Sequence, residues 1–201
     1  MALRVVGGSA RGRPLIAPKA DVRPTMDRVK GVIFSMLEAE AYKRGFEPDE
    51  EGRMAAGLAW PRVVDLFAGT GGLGIEALSR GAEHADFVDS SRDSIEAVRS
   101  NVTKLGFLPQ STIHQSPADS ALKRLEPFDL VLIDPPYADE SALSAALAAL
   151  ATSGGLQENG VVMLEQRAAA TPPSAIGALV QLKTRAQGAT RVTLYALPTK
   201  S

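Results

Sequence analysis

The chain reads as an α/β protein, Rossmann-like, with a mostly parallel sheet and a C-terminal antiparallel hairpin, and three features lead there. From Arg62 onward short apolar runs alternate with stretches of helical period, the pattern of a parallel sheet covered by helices on both faces. The first run, "RVVDLFA", breaks into the glycine-rich "GTGGLG" before a helix begins. A later run, "FDLVLID", ends in a carboxylate, two prolines and a tyrosine. Proline cannot donate to a sheet ladder, so Pro135 and Pro136 must end that strand at its carboxyl edge. In an open parallel sheet, ligands bind at that edge.

Taken in order, residues 1–24 form a basic arm, with "LRVVGGSARGRPLIAP" alternating short apolar pieces with Gly and Pro as a small hairpin outside the main sheet would. Residues 25–44 form a helix, with Val29, Ile33, Phe34, Met36 and Leu37 at helical spacing, Thr25 as its N-cap, Asp27 in the first turn and Gly45 closing it. Residues 45–61 show no period and are expected to be a variable loop. The core, 62–201, follows as strand "RVVDLFA", helix "GLGIEALSRG", strand "HADFVDS", helix "RDSIEAVRSNVTKLG", strand "STIHQS", short helix "DSALKRL" and strand "FDLVLID". Helix "ESALSAALAALA", strand "GVVMLEQR" and a hairpin turning at Gln187-Gly188 complete it, so that residues 25–201 make one domain.

With 201 residues and 45% apolar content, one core is the expectation. The absence of cysteine excludes disulfides and thiolate metal sites; His84 and His114 lack ligand-like spacing, so no metal is expected and both histidines are read as structural or exposed. No signal peptide or membrane span is legible, which predicts a cytoplasmic protein without a membrane partner. The net charge of −1 conceals an asymmetry: residues 1–30 carry seven basic residues (Arg4, Arg11, Arg13, Lys19, Arg23, Arg28 and Lys30) against Asp21 and Asp27. A pliable basic segment suits phosphate contact, although a solvated face has the same composition.

Gly69 and Gly71 follow the first strand directly, and glycine lets a ligand lie against such a turn while the next helix presents its amides. Asp89 ends the second strand about 20 residues on, where an acid takes ribose hydroxyls; together these predict an adenosine-containing cofactor. Asp65, beside the glycine loop, would repel a diphosphate but can accept from the ammonium group of a methionine moiety. That points to S-adenosylmethionine, with a nicotinamide dinucleotide as the rival.

The segments "GRPLIAPKADVRPTMDRVKGVIFSML", "DLFAGTGGLGIEALSRGA", "VRSNVTKLG", "DLVLIDPPY" and "QGATRVTLY" together resemble the RsmD family of bacterial 16S rRNA guanine-N2 methyltransferases. The resemblance implies a class I S-adenosylmethionine-dependent methyltransferase fold with a seven-stranded sheet. It also implies S-adenosylmethionine as donor, a guanine N2 amine as acceptor, and ribosomal RNA or the assembling small subunit as partner, the protein acting as a monomer. It places Asp65, Phe67, Ala68, Gly69 and Gly71 in the cofactor loop, Asp89 and Ser90 at the ribose, Ser116, Pro117 and Ala118 at the adenine, and Asp134 at both cofactor and substrate. The catalytic motif is Asp134, Pro135, Pro136 and Tyr137; Arg4, Arg11, Arg13, Lys19, Arg23, Thr25 and Arg28 are substrate-binding candidates.

Two positions depart from the family pattern. Asp89 stands where Glu is usual, and Ser116 where an acid is expected; Asp119 is either the displaced acid or a helix N-cap. Asn101 matches a family position that helix packing or capping would also explain. An acid-Pro-Pro-aromatic motif serves any planar exocyclic amine, so a DNA adenine or cytosine methyltransferase is the nearest alternative, but no stretch remains for a DNA-reading domain. A protein glutamine methyltransferase and a non-catalytic RNA-binding protein are the others.

Overall fold

The computed structural model describes residues 3–18, 27–48, 56–136 and 139–198. Its strands are β1 (Arg62–Leu66), β2 (His84–Asp89), β3 (Ser111–Gln115), β4 (Phe128–Ile133), β5 (Leu156–Arg167), β6 (Ala175–Ile176), β7 (Leu179–Gln187) and β8 (Thr190–Ala196). They form one sheet in the order β3-β2-β1-β4-β5-β8-β7-β6. Strands β1 to β5 run parallel, and β8, β7 and β6 add antiparallel to one another beyond β5. This is the class I methyltransferase fold. The two-residue β6 is an addition to the seven strands expected. Behind it the Tyr195 hydroxyl donates to the Pro173 carbonyl at 2.8 Å, tethering the segment that leads into this edge strand. The chain leaves β1 through β2 to β3 and then crosses back to β4 on the other side of β1. The crevice between the carboxyl ends of β1 and β4 is thus the switch point at which such sheets bind ligands.

Burial on both faces explains why β1 and β4 are continuous apolar runs rather than alternating ones. Val63, Leu130 and Leu132 face one core cluster, shared with α1 (Asp27–Lys43), α3 (Gly72–Ser79) and α4 (Arg92–Leu105). Val64, Leu66, Val131 and Ile133 face the other, shared with α5 (Ala118–Leu122) and α6 (Glu140–Ser153). The stretch read as a loop at 45–61 contains the short helix α2 (Ala56–Ala59), too brief to show a period. Trp60 behind it is buried, donates from Nε1 to the Asn159 carbonyl at 2.9 Å and meets Phe46 edge-to-face. A Cβ at Gly57 would lie 2.2 Å from the Ala82 amide nitrogen, so glycine lets α2 sit directly on the turn after α3.

Residues 3–18 of the basic arm make a hairpin loop outside the sheet, with Val5 and Arg13 joined at 3.0 Å and Leu15 and Leu3 at 2.8 Å. It is nevertheless part of the core: Val5, Ala10 and Leu15 are buried in the first cluster. Backbone amides of Val6 and Ala10 donate to Glu76 (2.8 Å) and the Ser79 hydroxyl (2.9 Å), and that hydroxyl donates to the Gly7 carbonyl at 2.6 Å. Underneath lies a buried charge network. Glu76 pairs with Arg80, which also reaches Glu38 and stacks over the Phe34 ring. Burial raises the Glu38 pKa, with Arg80 opposing, and lowers that of Lys30, with Glu76 and Asp27 opposing. Buried ions without such partners would be costly, and the arm adds two of them, the Val6 amide for Glu76 and the Arg4 carbonyl for Lys30.

Candidate active site at the carboxyl ends of the central strands

The turn after β1 is held by its backbone. Phe67 (φ 61°), Gly69 (φ 54°) and Gly71 (φ 75°) all take left-handed conformations, which for Phe67 is a strained choice held in place by the surrounding bonds. The Ala68 amide donates to the Val88 carbonyl (3.0 Å) and the Gly71 amide to the Ala68 carbonyl (2.6 Å). The turn delivers α3, whose Gly74 amide donates to Asp65 Oδ2 at 2.8 Å. A Cβ on Gly74 would stand 2.4 Å from the Phe87 ring and 3.1 Å from that carboxylate oxygen. Glycine at position 74 is therefore what brings Asp65 against the amino end of α3, where the helix dipole favours an anion.

Asp65 is buried, and its pKa is raised well above the usual carboxylate value by that burial; the Gly74 amide opposes the shift, and the carboxylates of Asp134 and Asp89 add to it. Three acids thus converge at the switch point, an arrangement that a cationic ligand would relieve.

Asp89 occupies the end of β2 as expected, and both of its oxygens accept backbone amides: Oδ2 from Gly69 at 2.9 Å and Oδ1 from Ser91 at 2.8 Å. Each oxygen keeps a second lone pair for a hydroxyl. With its shorter side chain, Asp89 fastens the glycine turn as well as facing the crevice. Ser90 is exposed and Ser91 caps α4. The Ser116 amide donates to the Asp89 carbonyl at 3.0 Å, Pro117 precedes α5, and Ala118 is buried. Asp119 is not the N-cap, a position taken by Pro117, but lies in the first turn of α5.

On the far side of the crevice, half-buried Asp134 follows β4; Pro135 is buried and Pro136 exposed. The Pro136 carbonyl accepts from the Asp139 amide at 3.0 Å, and Asp139 caps α6 through Ala142. Tyr137 lies outside the described residues, as do Lys19, Arg23 and Thr25. Among the remaining basic candidates, Arg4 pairs with Asp27 at 2.8 Å, Arg13 reaches the Lys104 carbonyl, and Arg11 and Arg28 are exposed. Lys30, counted in the basic run, is buried and turned to the Arg4 carbonyl, so it is no phosphate ligand.

Asn101 is fully buried, and its role is one that sequence spacing did not define. Its Nδ2 donates to the carbonyls of Ile16 and Thr70 (both 2.9 Å), and its Oδ1 accepts from the Ile16 amide at 2.8 Å. One side chain thus ties the arm to the glycine turn. The linear order of residues sets the arm apart from this turn, and the Asn101 side chain joins the two. His84 and His114, distant in sequence, both face Asp86, at 3.8 and 2.7 Å. Parallel pairing of β2 with β3 brings them together. Among the described residues no group of three or more His, Asp or Glu is placed to hold a metal ion, and no helix is long and apolar enough to cross a membrane.

The family model described as "Conserved hypothetical protein 95" matches residues 3–196. Ribosomal RNA small subunit methyltransferase D of Escherichia coli K12 is 27% identical over 164 residues, covering 81% of this chain and 74% of that protein. The chain belongs to the RsmD family. YlbH of Bacillus subtilis is 36% identical over 198 residues, covering 96% of this chain and 98% of its own. The solved structure of Escherichia coli yhhF superposes with a TM-score of 0.76 at 26% identity, over 97% of each chain. The RsmD-family match thus spans the arm as well as the sheet, in keeping with an arm that is built into the core.

Proposed function

We propose that the chain transfers a methyl group from S-adenosylmethionine to the exocyclic N2 amine of a guanine in 16S ribosomal RNA. The observation that carries the proposal is the convergence of Asp65 and Asp134 on the switch point of an RsmD-family fold. The related Escherichia coli enzyme is a small-subunit ribosomal RNA methyltransferase by name. The cofactor fits the residues present. Its ammonium and sulfonium charges suit a crevice of three acids, its ribose suits Asp89, and its adenine suits the Ser116–Ala118 segment. When bound, it supplies an electrophilic methyl group.

The remaining work falls to the chain. An aromatic amine is a poor nucleophile because its lone pair is delocalised into the ring. The Asp134 carboxylate and the Pro135 carbonyl accept from the amine, favour a pyramidal nitrogen and stabilise the positive charge that grows there during transfer. The prolines keep both acceptors aimed. Tyr137 stacks on the extruded base, a contact worth about 1–3 kcal/mol. The deciding experiment is nucleoside analysis of ribosomal RNA from a strain lacking this protein. One N2-methylguanosine should vanish from 16S RNA; an unchanged 16S profile would refute the proposal.

The buried acid makes a separate prediction. Because the folded-state pKa of Asp65 is raised, the carboxyl stays protonated at pH values where it would ionise in the unfolded chain, so the protein loses stability as pH rises through that interval and levels off above the folded value. A cationic ligand prefers the ionised form. S-adenosylmethionine affinity should therefore rise with pH on the acid side of the folded Asp65 pKa, measured where the cofactor's α-amino group remains charged, with protons released on binding. Calorimetry in buffers of different ionisation enthalpy reads both effects. Asp65→Asn should bind weakly with no such rise; a wild-type affinity flat over this range would contradict the assignment.

A further inference from the structure

A cleft of about 600 Å³ opens beside the motif that ends β4, walled by Pro135 and Pro136 on one side, Glu165, Gln166 and Arg167 at the end of β5 on another, and Leu143 of α6 on a third. The size is that of a small-molecule site. Its polar lining is unusual for a strand end. Glu165 is only 4% exposed, and the Oε1 of Gln166 is buried without a hydrogen-bond partner among the described residues. A buried acceptor without a donor is unfavourable, and a ligand that brings one would remove the penalty. The β4–β5 register ends by pairing Ile133 with Leu164, the residues just before Asp134 and Glu165, so the end of β5 adjoins the motif that follows β4.

We propose that this cleft receives the target base and that Glu165 selects guanine by accepting from its N1–H. The chemistry lies in the position next to the reacting amine. Guanine places a donor, N1–H, beside its N2 amine, whereas adenine and cytosine place a ring acceptor beside theirs. A buried carboxylate at the end of β5, next to the motif that ends β4, therefore accepts guanine and repels the other two. Arg167, exposed at the cleft wall, supplies the matching donor for O6. The inference rests on the guanine-N2 reading above and deepens it by assigning base choice to the end of β5. No signal drew attention to Glu165 in the sequence, although "VVMLEQR" ends an apolar run in polar residues much as "LVLIDPP" does.

The test uses the full-length protein and RNA in which the methylated guanosine, once mapped, is replaced by 2,6-diaminopurine riboside. That base keeps the 2-amine but turns N1 into an acceptor. Wild-type protein should prefer guanine by about 10- to 100-fold in kcat/KM, the range expected for one well-formed base-edge readout. Glu165→Gln and Glu165→Met should each cut that preference by about tenfold, with Glu165→Gln raising diaminopurine methylation outright because its amide can donate to N1. S-adenosylmethionine binding by calorimetry separates base choice from misfolding. A wild-type preference near unity overturns the inference without recourse to any variant, as does an unchanged preference in variants that still bind cofactor. Cofactor-binding wild-type protein that leaves guanine in the RNA unmethylated would instead refute the underlying activity.

Discussion

Asp134→Ala is expected to lower kcat by roughly 100- to 1,000-fold, the usual cost of removing one preorganised acceptor from a transition state. Its contact with the amine strengthens only as positive charge develops, so the loss should fall on kcat more than on substrate or cofactor affinity. The structure adds a second signature. The Asp134 carboxylate is one of the charges that raise the Asp65 pKa. Removing it should move the pH midpoint of S-adenosylmethionine binding downward. Single-turnover kinetics and calorimetry across pH measure the two effects independently. A variant with near-normal turnover would refute the role assigned to Asp134, and an unmoved midpoint would show that the two acids are not coupled through the crevice.

Asn101→Ala should have the largest effect on stability of any substitution discussed. It leaves the Thr70 carbonyl and both Ile16 backbone groups without their partners, at about 1–3 kcal/mol for each group that stays buried. Water can reach the part-buried Ile16 groups, so a loss of roughly 3 kcal/mol and a fall in Tm of roughly 10 °C are expected. Asn101→Asp keeps the acceptor for Ile16 but sets a carboxylate against two carbonyls, and should be no better. Because the same side chain holds the glycine turn, cofactor affinity should fall together with stability, and residues 3–18 should become accessible to protease. A Tm within about 2 °C of wild type, smaller than the shift expected for 1 kcal/mol, would mean that the arm is retained by its apolar contacts through Val5, Ala10 and Leu15 alone.

The sheet was legible in the linear sequence because its signals are local. Apolar runs bounded by Gly and Pro marked β1, β4 and β5, the Gln187-Gly188 pair marked the hairpin between β7 and β8, and "GTGGLG" marked the turn that the left-handed Gly69 and Gly71 make. The positions of Asp65, Asp89 and Asp134 at the strand ends followed from the same runs. Short or long-range features did not follow. Four residues of α2 cannot display a helical period, and two residues of β6 cannot display alternation. Segment charge identified the arm as basic but could not show that Lys30 is buried, or that Glu76 and Ser79 await the arm's backbone amides, because each of those partners lies 26 or more residues away. Side-chain direction was equally hidden. Only the parallel register of β4 and β5 sets the end of β5 beside the motif that follows β4, and only the crossing from β3 back to β4 makes their shared edge a site. Which residue types can do the chemistry is a property of the sequence; which of them meet is decided by packing, since hydrogen-bond partners and buried charges are chosen by proximity in space rather than along the chain.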